Sequence, residues 1–122
     1  MRPGVAQSLP YSHGVIASGR MLYISGQGPV DPATGQVVDG DIETQTRLTL
    51  DNVRAIAALA GADLSRAVKV NVFLADVRDF ARFNPVYAEA FPGDRPARTT
   101  VQATLPLPGM KIEIEAILAL DD

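Results

Sequence analysis

The sequence predicts an α+β fold, a mixed sheet in the order ββαβαββ with two helices on one face. Three observations carry this. Apolar residues recur at helical steps of three and four in two segments, they alternate at the period of a strand in others, and clusters of Gly, Pro and Asp separate the segments. With 122 residues, 47% of them hydrophobic and 20% charged, residues 1–122 are expected to form a single domain with its own core.

Val15-Ile16-Ala17 and Met21-Leu22-Tyr23-Ile24-Ser25 are short apolar runs on either side of Ser18-Gly19-Arg20, the pattern of a β-hairpin. Gly26-Gln27-Gly28-Pro29 ends the second strand, and Asp31-Pro32-Ala33-Thr34-Gly35 reads as a loop. From Ile42 to Ala60, the residues Ile42, Thr46, Thr49, Val53, Ile56 and Ala60 gather on one helix face. Asp41 is placed to cap this helix and Gly61 to end it in a left-handed conformation. Val68, Val70, Val72 and Leu74 alternate with Lys69, Asn71 and Phe73, as in a strand. Helical spacing returns at Phe80, Phe83, Tyr87, Ala90 and Phe91. Pro85 either kinks this helix or stands first in a new one capped by Asn84. After Pro92-Gly93-Asp94-Arg95-Pro96, a short strand is expected over Thr99 to Thr104. The Pro106-Leu107-Pro108-Gly109 turn leads to the last strand. There Met110, Ile112, Ile114, Ala116 and Leu118 share one face, and Lys111, Glu113 and Glu115 the other.

Composition removes whole classes of chemistry. Without Cys there are no disulfides, thiol nucleophiles or thiolate metal sites, and a single His leaves at most one imidazole. Eleven basic against fourteen acidic residues, with no basic run, argue against a nucleic-acid partner. Only Arg66, Lys69, Arg78 and Arg82 offer material for a local basic patch. Met1-Arg2-Pro3-Gly4 lacks the apolar core of a signal peptide, and no apolar run approaches the ~20 residues of a membrane span, so the expected location is the cytoplasm. Two helices cover one face of a sheet. The other carries apolar residues such as Phe73, which predicts a closed homo-oligomer.

An enzyme built from this chain must work with arginine, carboxylates, hydroxyls, backbone groups and water. Arg98, in Pro96-Ala97-Arg98-Thr99-Thr100 directly before a strand, can hold a carboxylate through two parallel hydrogen bonds; a solvated surface arginine has the same sequence appearance. Glu113 and Glu115 project from one face of an apolar strand. On a solvent-facing strand Lys111 would balance them; on a central strand a carboxylate should pair with a cation or have its pKa raised by burial, and either state suits a group that positions water. Tyr11 offers a phenol, though tyrosines at loop ends mostly pack. Asn84 is a candidate cap, and His13 reads as a surface residue. The Ser25-Gly26-Gln27-Gly28 turn can approach a ligand through its backbone, but lacks the spacing and Lys of a phosphate loop.

Seven segments, in order over nearly the whole chain, together resemble the reactive intermediate deaminase family, the Rid or YjgF-like proteins. They are Pro10-Tyr11-Ser12-His13-Gly14, Leu22-Tyr23-Ile24-Ser25-Gly26-Gln27, Leu50-Asp51-Asn52-Val53, Val68 to Leu74, Phe83-Asn84-Pro85-Val86-Tyr87, Pro96 to Val101 and Ile112 to Ala116. The resemblance implies a chorismate-mutase-like fold, assembled as a homotrimer with ligand clefts between subunits. It implies an enamine and imine deaminase, hydrolysing 2-aminoacrylate-type compounds to 2-oxo acids and ammonia with no cofactor and no metal. It places the carboxylate clamp on Arg98 and the water-orienting acid on Glu113. Tyr11, Ser25, Gly26, Asn84 and Thr100 fall on substrate-binding positions. One departure stands out: Thr100 occupies a position where many members carry Cys. A carboxylate-binding module without activity, a deaminase for larger unsaturated amino acids, and a ribonuclease or translation inhibitor are the alternatives within the same fold.

Overall fold

The computed structural model describes residues 9–120; the Met1–Gly4 start discussed above lies outside them. Four strands and two helices follow in the order β1 (Met21–Gln27), α1 (Ile42–Leu59), β2 (Ala67–Leu74), α2 (Phe80–Glu89), β3 (Ala97–Gln102) and β4 (Ile112–Ala119). The sheet order is β1-β4-β2-β3, with β2 and β3 parallel and the other pairs antiparallel. The expected mixed sheet with two helices is therefore present, one strand short. Residues 14–18 form no strand, and Ile16 is exposed. A three-residue strand offers too few ladder bonds to hold a hairpin by itself.

α1 forms where its period predicts. Asp41 accepts a hydrogen bond from the Thr44 amide at 2.8 Å, and Gly61 adopts φ +74° after the last turn. Ile42, Thr46, Thr49, Leu50, Val53 and Ala57 are buried, so Leu50 and Ala57 take the inner positions expected of Ile56 and Ala60. α1 packs on β4, β1 and α2. α2 runs unbroken through Pro85, at the cost of one helical hydrogen bond, so Asn84 is not a cap. It supplies the crossover that parallel β2 and β3 require.

Sheet register decides which side chains meet. Val70, Val72, Leu74, Ile112, Ile114, Ala116 and Leu118 turn toward the helices and form the core. Strict alternation in β2 breaks at its start: pairing with β4 shifts between Ala67 and Lys69, and Ala67, not Val68, is buried. The opposite face carries Tyr23, Asn71, Phe73, Val101, Glu113, Glu115 and Ile117, and no helix covers it. Tyr23 there is 72% exposed.

Candidate functional site

The sequence-predicted site residues separate into two groups on opposite faces of the sheet. β3 begins two residues earlier than expected, so Arg98 lies within the strand. It pairs in register with Val70, and Thr100 with Val72, so both point to the helix side. Glu113 pairs with Phe73 on the open side.

Arg98 is the centre of the first group. Its Nη1 donates to Asn84 Oδ1 at 2.8 Å, which explains why Asn84 sits mid-helix on α2. Four rings surround the guanidinium: Tyr87 at 4.8 Å, Tyr11 and Phe83 at 5.4 Å, and Phe80 at 5.6 Å from the guanidinium carbon. Cation–π contacts of this kind return part of the hydration lost on burial, at about 0.5–2 kcal/mol each. Among the described residues no carboxylate pairs with Arg98. Burial pushes its pKa below the ordinary arginine value, opposed by Tyr87 and Tyr11, yet a guanidinium stays charged at any physiological pH. A half-buried cation with no anion is well placed to bind a carboxylate, because its attraction is screened less than at an open surface.

The backbone places Tyr11 over this cation. Ser12 bridges to Ala97 in parallel, its amide donates to the Pro96 carbonyl at 3.1 Å, and its hydroxyl donates to the Arg95 carbonyl. Arg95 Nη1 in turn donates to the Leu9 carbonyl at 2.9 Å. His13 is exposed, as expected, and stacks on Tyr11 with ring centroids 6.1 Å apart. The spacing of Phe80, Phe83 and Tyr87 is that of any apolar helix stripe, and Phe83 and Tyr87 belong to the core as well as to the cradle. Only their nearness in sequence to Asn84 hinted at more.

The second group is Ser25, Gly26 and Glu113. β1 shifts register between Ile24 and Gln27, a bulge that displaces Ser25 and Gly26 from the ladder. The Glu113 side chain lies directly over Gly26: a Cβ there would stand 2.4 Å from Oε2 and 2.8 Å from Cδ. The carboxylate therefore sits in space that only a glycine at position 26 leaves open. Glu113 has no ion pair with another described residue, and Lys111, expected to balance it, donates to the Gly40 carbonyl instead. Glu115 accepts from Asn71 Nδ2 at 2.9 Å. Beside it, a recess of about 200 Å3 in the open face is lined by Tyr23, Ser25, Lys69, Asn71 and Glu115, and Arg98 is not part of it.

Among the described residues, no three His, Asp or Glu side chains come together as metal ligands. The four basic residues considered for a nucleic-acid patch do not form an uncompensated one. Arg78 pairs with Asp76 and Arg82 with Glu43, both at 2.7 Å, while Arg66 donates to the Ala119 carbonyl and Lys69 to Thr99. No helix among the described residues is long and apolar enough to cross a membrane.

The profile of the endoribonuclease L-PSP family, which comprises the YjgF, RutC and Rid proteins, matches residues 3–120. The chain belongs to the Rid family. It is 48% identical over 108 residues to a RutC family protein of Pyrococcus horikoshii, covering 88% of this chain and 85% of that one. It is 45% identical over 118 residues to the protein mmf1, mitochondrial, of Schizosaccharomyces pombe, covering 94% and 71%. Among solved structures, a Rid family protein of unknown function from Yersinia pestis, YyfB, superposes with a TM-score of 0.83 at 30% identity, covering 91% of this chain and 87% of that chain. The E. coli protein TdcF, solved with bound serine, superposes at 0.76 with 35% identity, covering 99% and 96%.

Proposed function

We propose that this Rid protein is a cofactor-independent deaminase that hydrolyses 2-imino acids, and the 2-aminoacrylate-type enamines that tautomerise to them, to 2-oxo acids and ammonia. The observation that carries the reading is Arg98, a half-buried guanidinium with an aromatic cradle and no anion among the described residues. A small carboxylate supplies what that cation lacks, and the serine bound to the relative TdcF is a ligand of this class.

An imine carbon is already electrophilic, so the reaction asks for positioning of substrate and water more than for a covalent nucleophile. In this reading Arg98 fixes the substrate carboxylate, Tyr11 closes over it, and Asn84 holds the guanidinium. Glu113 places a water against C2, with the backbone at Ser25 and Gly26 beside it. Water adds to C2 as the imine nitrogen takes a proton, giving a carbinolamine. Loss of ammonia from that intermediate forms the C2 carbonyl. An enamine is first protonated at its terminal carbon.

Arg98 and Glu113 lie on opposite faces of one sheet, so in this reading the site forms between subunits of a homotrimer: Arg98, Tyr11, Asn84 and Thr100 from one, Glu113, Ser25 and Gly26 from the next. The uncovered open face supports that assembly. The pairing of Arg78 with Asp76 and of Arg82 with Glu43 weighs against RNA as substrate. The reading keeps the protein in the cytoplasm, although the relative mmf1 is named mitochondrial.

The test is a panel of imines generated in situ by an amino-acid oxidase and followed for accelerated 2-oxo acid formation. The protein should accelerate hydrolysis of small imines. Arg98→Ala should abolish that acceleration while the oligomer elutes unchanged. Undiminished turnover in Arg98→Ala refutes the mechanism, and a flat panel with retained carboxylate binding identifies a binding module instead.

A further inference from the structure

Asn52 stands on α1, outside both groups of site residues. Its side chain is half-buried, and Nδ2 donates both of its hydrogens, to the Gly28 carbonyl at 3.0 Å and to the Val30 carbonyl at 2.8 Å. Among side chains of this size only an amide brings two donors on one atom to two carbonyls. The bonds begin two residues after Gly26. Ser25 and Gly26 have no ladder partner, so the bulge is held from its ends: by the pairing of Ile24 with Ala116 on one side, and by the pairing of Gln27 with Ile114 and the Asn52 bonds on the other. Two turns earlier on the same face of α1, Gln45 is 1% exposed. It accepts from the Lys111 amide at 2.8 Å and donates to the Gly109 carbonyl at 2.9 Å, just before Glu113. The two held segments also touch each other, since a Cβ on Gly28 would stand 2.5 Å from Met110 Cε. One helix face thus anchors both walls of the gap between Gly26 and Glu113.

We propose that Asn52 is a positioning residue for the hydrolysis: its amide fixes the backbone from Gly26 to Val30, and with it the spacing between Gly26 and the Glu113 carboxylate where the attacking water is placed. The inference rests on the function proposed above and adds to it a residue that acts only through others. Arg98 lies on β3 and on the opposite face of the sheet, so loss of the Asn52 bonds should slow the chemical step and spare the carboxylate clamp.

The experiment follows 2-oxo acid formation from an in situ imine, together with propanoate titrations and amide spectra by NMR, for the full-length wild type, Asn52→Ala and Asn52→Asp. Propanoate probes the clamp alone. In Asn52→Ala, kcat should fall about tenfold, the scale of a displacement of a few tenths of an ångström where 1 Å costs about 100-fold, while propanoate affinity holds. The amide signals of Ser25, Gly26 and Glu113 should move, and those of Ala97 to Val101 should stay. In Asn52→Asp, the introduced carboxyl repels both carbonyls when ionised and donates to one of them when protonated. Its kcat relative to wild type should therefore rise as pH is lowered from about 8 to about 6, whereas a merely structural role in a folded protein leaves that ratio flat. Wild-type kcat in folded Asn52→Ala, unmoved Ser25 and Gly26 signals, or equal losses of kcat and propanoate affinity overturn the assignment. A flat pH ratio in Asn52→Asp also overturns it, and decides alone if Asn52→Ala does not fold. A wild type that accelerates no imine, whatever the spectra show, overturns the proposed function and this assignment with it.

Discussion

Gly26→Ala should remove most of the activity while leaving the fold intact. Gly26 has no positive φ, so its backbone accepts an L side chain. The added Cβ would stand 2.4 Å from Glu113 Oε2, 2.8 Å from Cδ and 3.1 Å from Cγ. An ordinary carbon–oxygen contact is roughly 3.3 Å, so the carboxylate must retreat by about 1 Å. It can do so cheaply, because it is the free end of a half-buried side chain on the open face. The lower chain entropy of Ala in the unfolded state offsets part of that strain, so the net change in stability should stay within about 1 kcal/mol. The effect on catalysis is far larger, since a 1 Å misplacement of a positioning group can cost about 100-fold in rate. The assay is 2-oxo acid formation from an in situ imine, read beside a thermal melt and an elution profile. Glu113→Gln should show a comparable loss, and the double variant little more than either alone, because both changes remove the same placement of water. Full activity in a well-folded Gly26→Ala protein, or multiplied losses in the double variant, would refute the placement of Glu113 over Gly26 as the working one.

Two further outcomes follow from the geometry. Co-expressed Arg98→Ala and Glu113→Ala subunits, each inactive alone, should assemble at random so that about a quarter of all sites hold both intact residues; activity near zero in demonstrably mixed oligomers would place Arg98 and Glu113 in separate functions. The hydrogen bonds from Thr44 hold the Asp41 carboxyl below its ordinary pKa, so its stabilisation of α1 is complete above the unfolded value and is lost as pH falls through the folded one. Asp41→Asn keeps a cap without that titration, and its melting temperature should fall less steeply below pH 4 than that of the wild type; parallel profiles would contradict the assignment.

What could be read from the sequence was local. The period, cap and terminator of α1 lie within twenty residues of one another, and all three hold. Arg98 and Thr100 share a face because alternate residues of any strand do. What was not legible depends on partners distant in the chain. The segment at Val15 has the composition of a strand, but whether it pairs is decided by the ladder available to it. Phe80, Phe83 and Tyr87 bury the same area whether they pack on aliphatic chains or around a guanidinium, so periodicity cannot separate core from cradle. Likewise, no spacing states that Arg98 and Glu113 face opposite ways; that follows from β2 standing between their strands in a particular register.

The register also explains why the acid stands where it does. The β4 positions that point to the side of Arg98 are Ile112, Ile114, Ala116 and Leu118, all in the hydrophobic core beneath the helices. A carboxylate at any of them would lose its hydration, and Arg98, on the far side of β2, stands two strands away, so burial would favour the protonated form. The face on which β4 can carry an ionised acid at low cost is the open one. Under the proposed function, an acid on this strand therefore acts on a ligand held by Arg98 across an interface, where the open face of one copy meets the aromatic cradle of another.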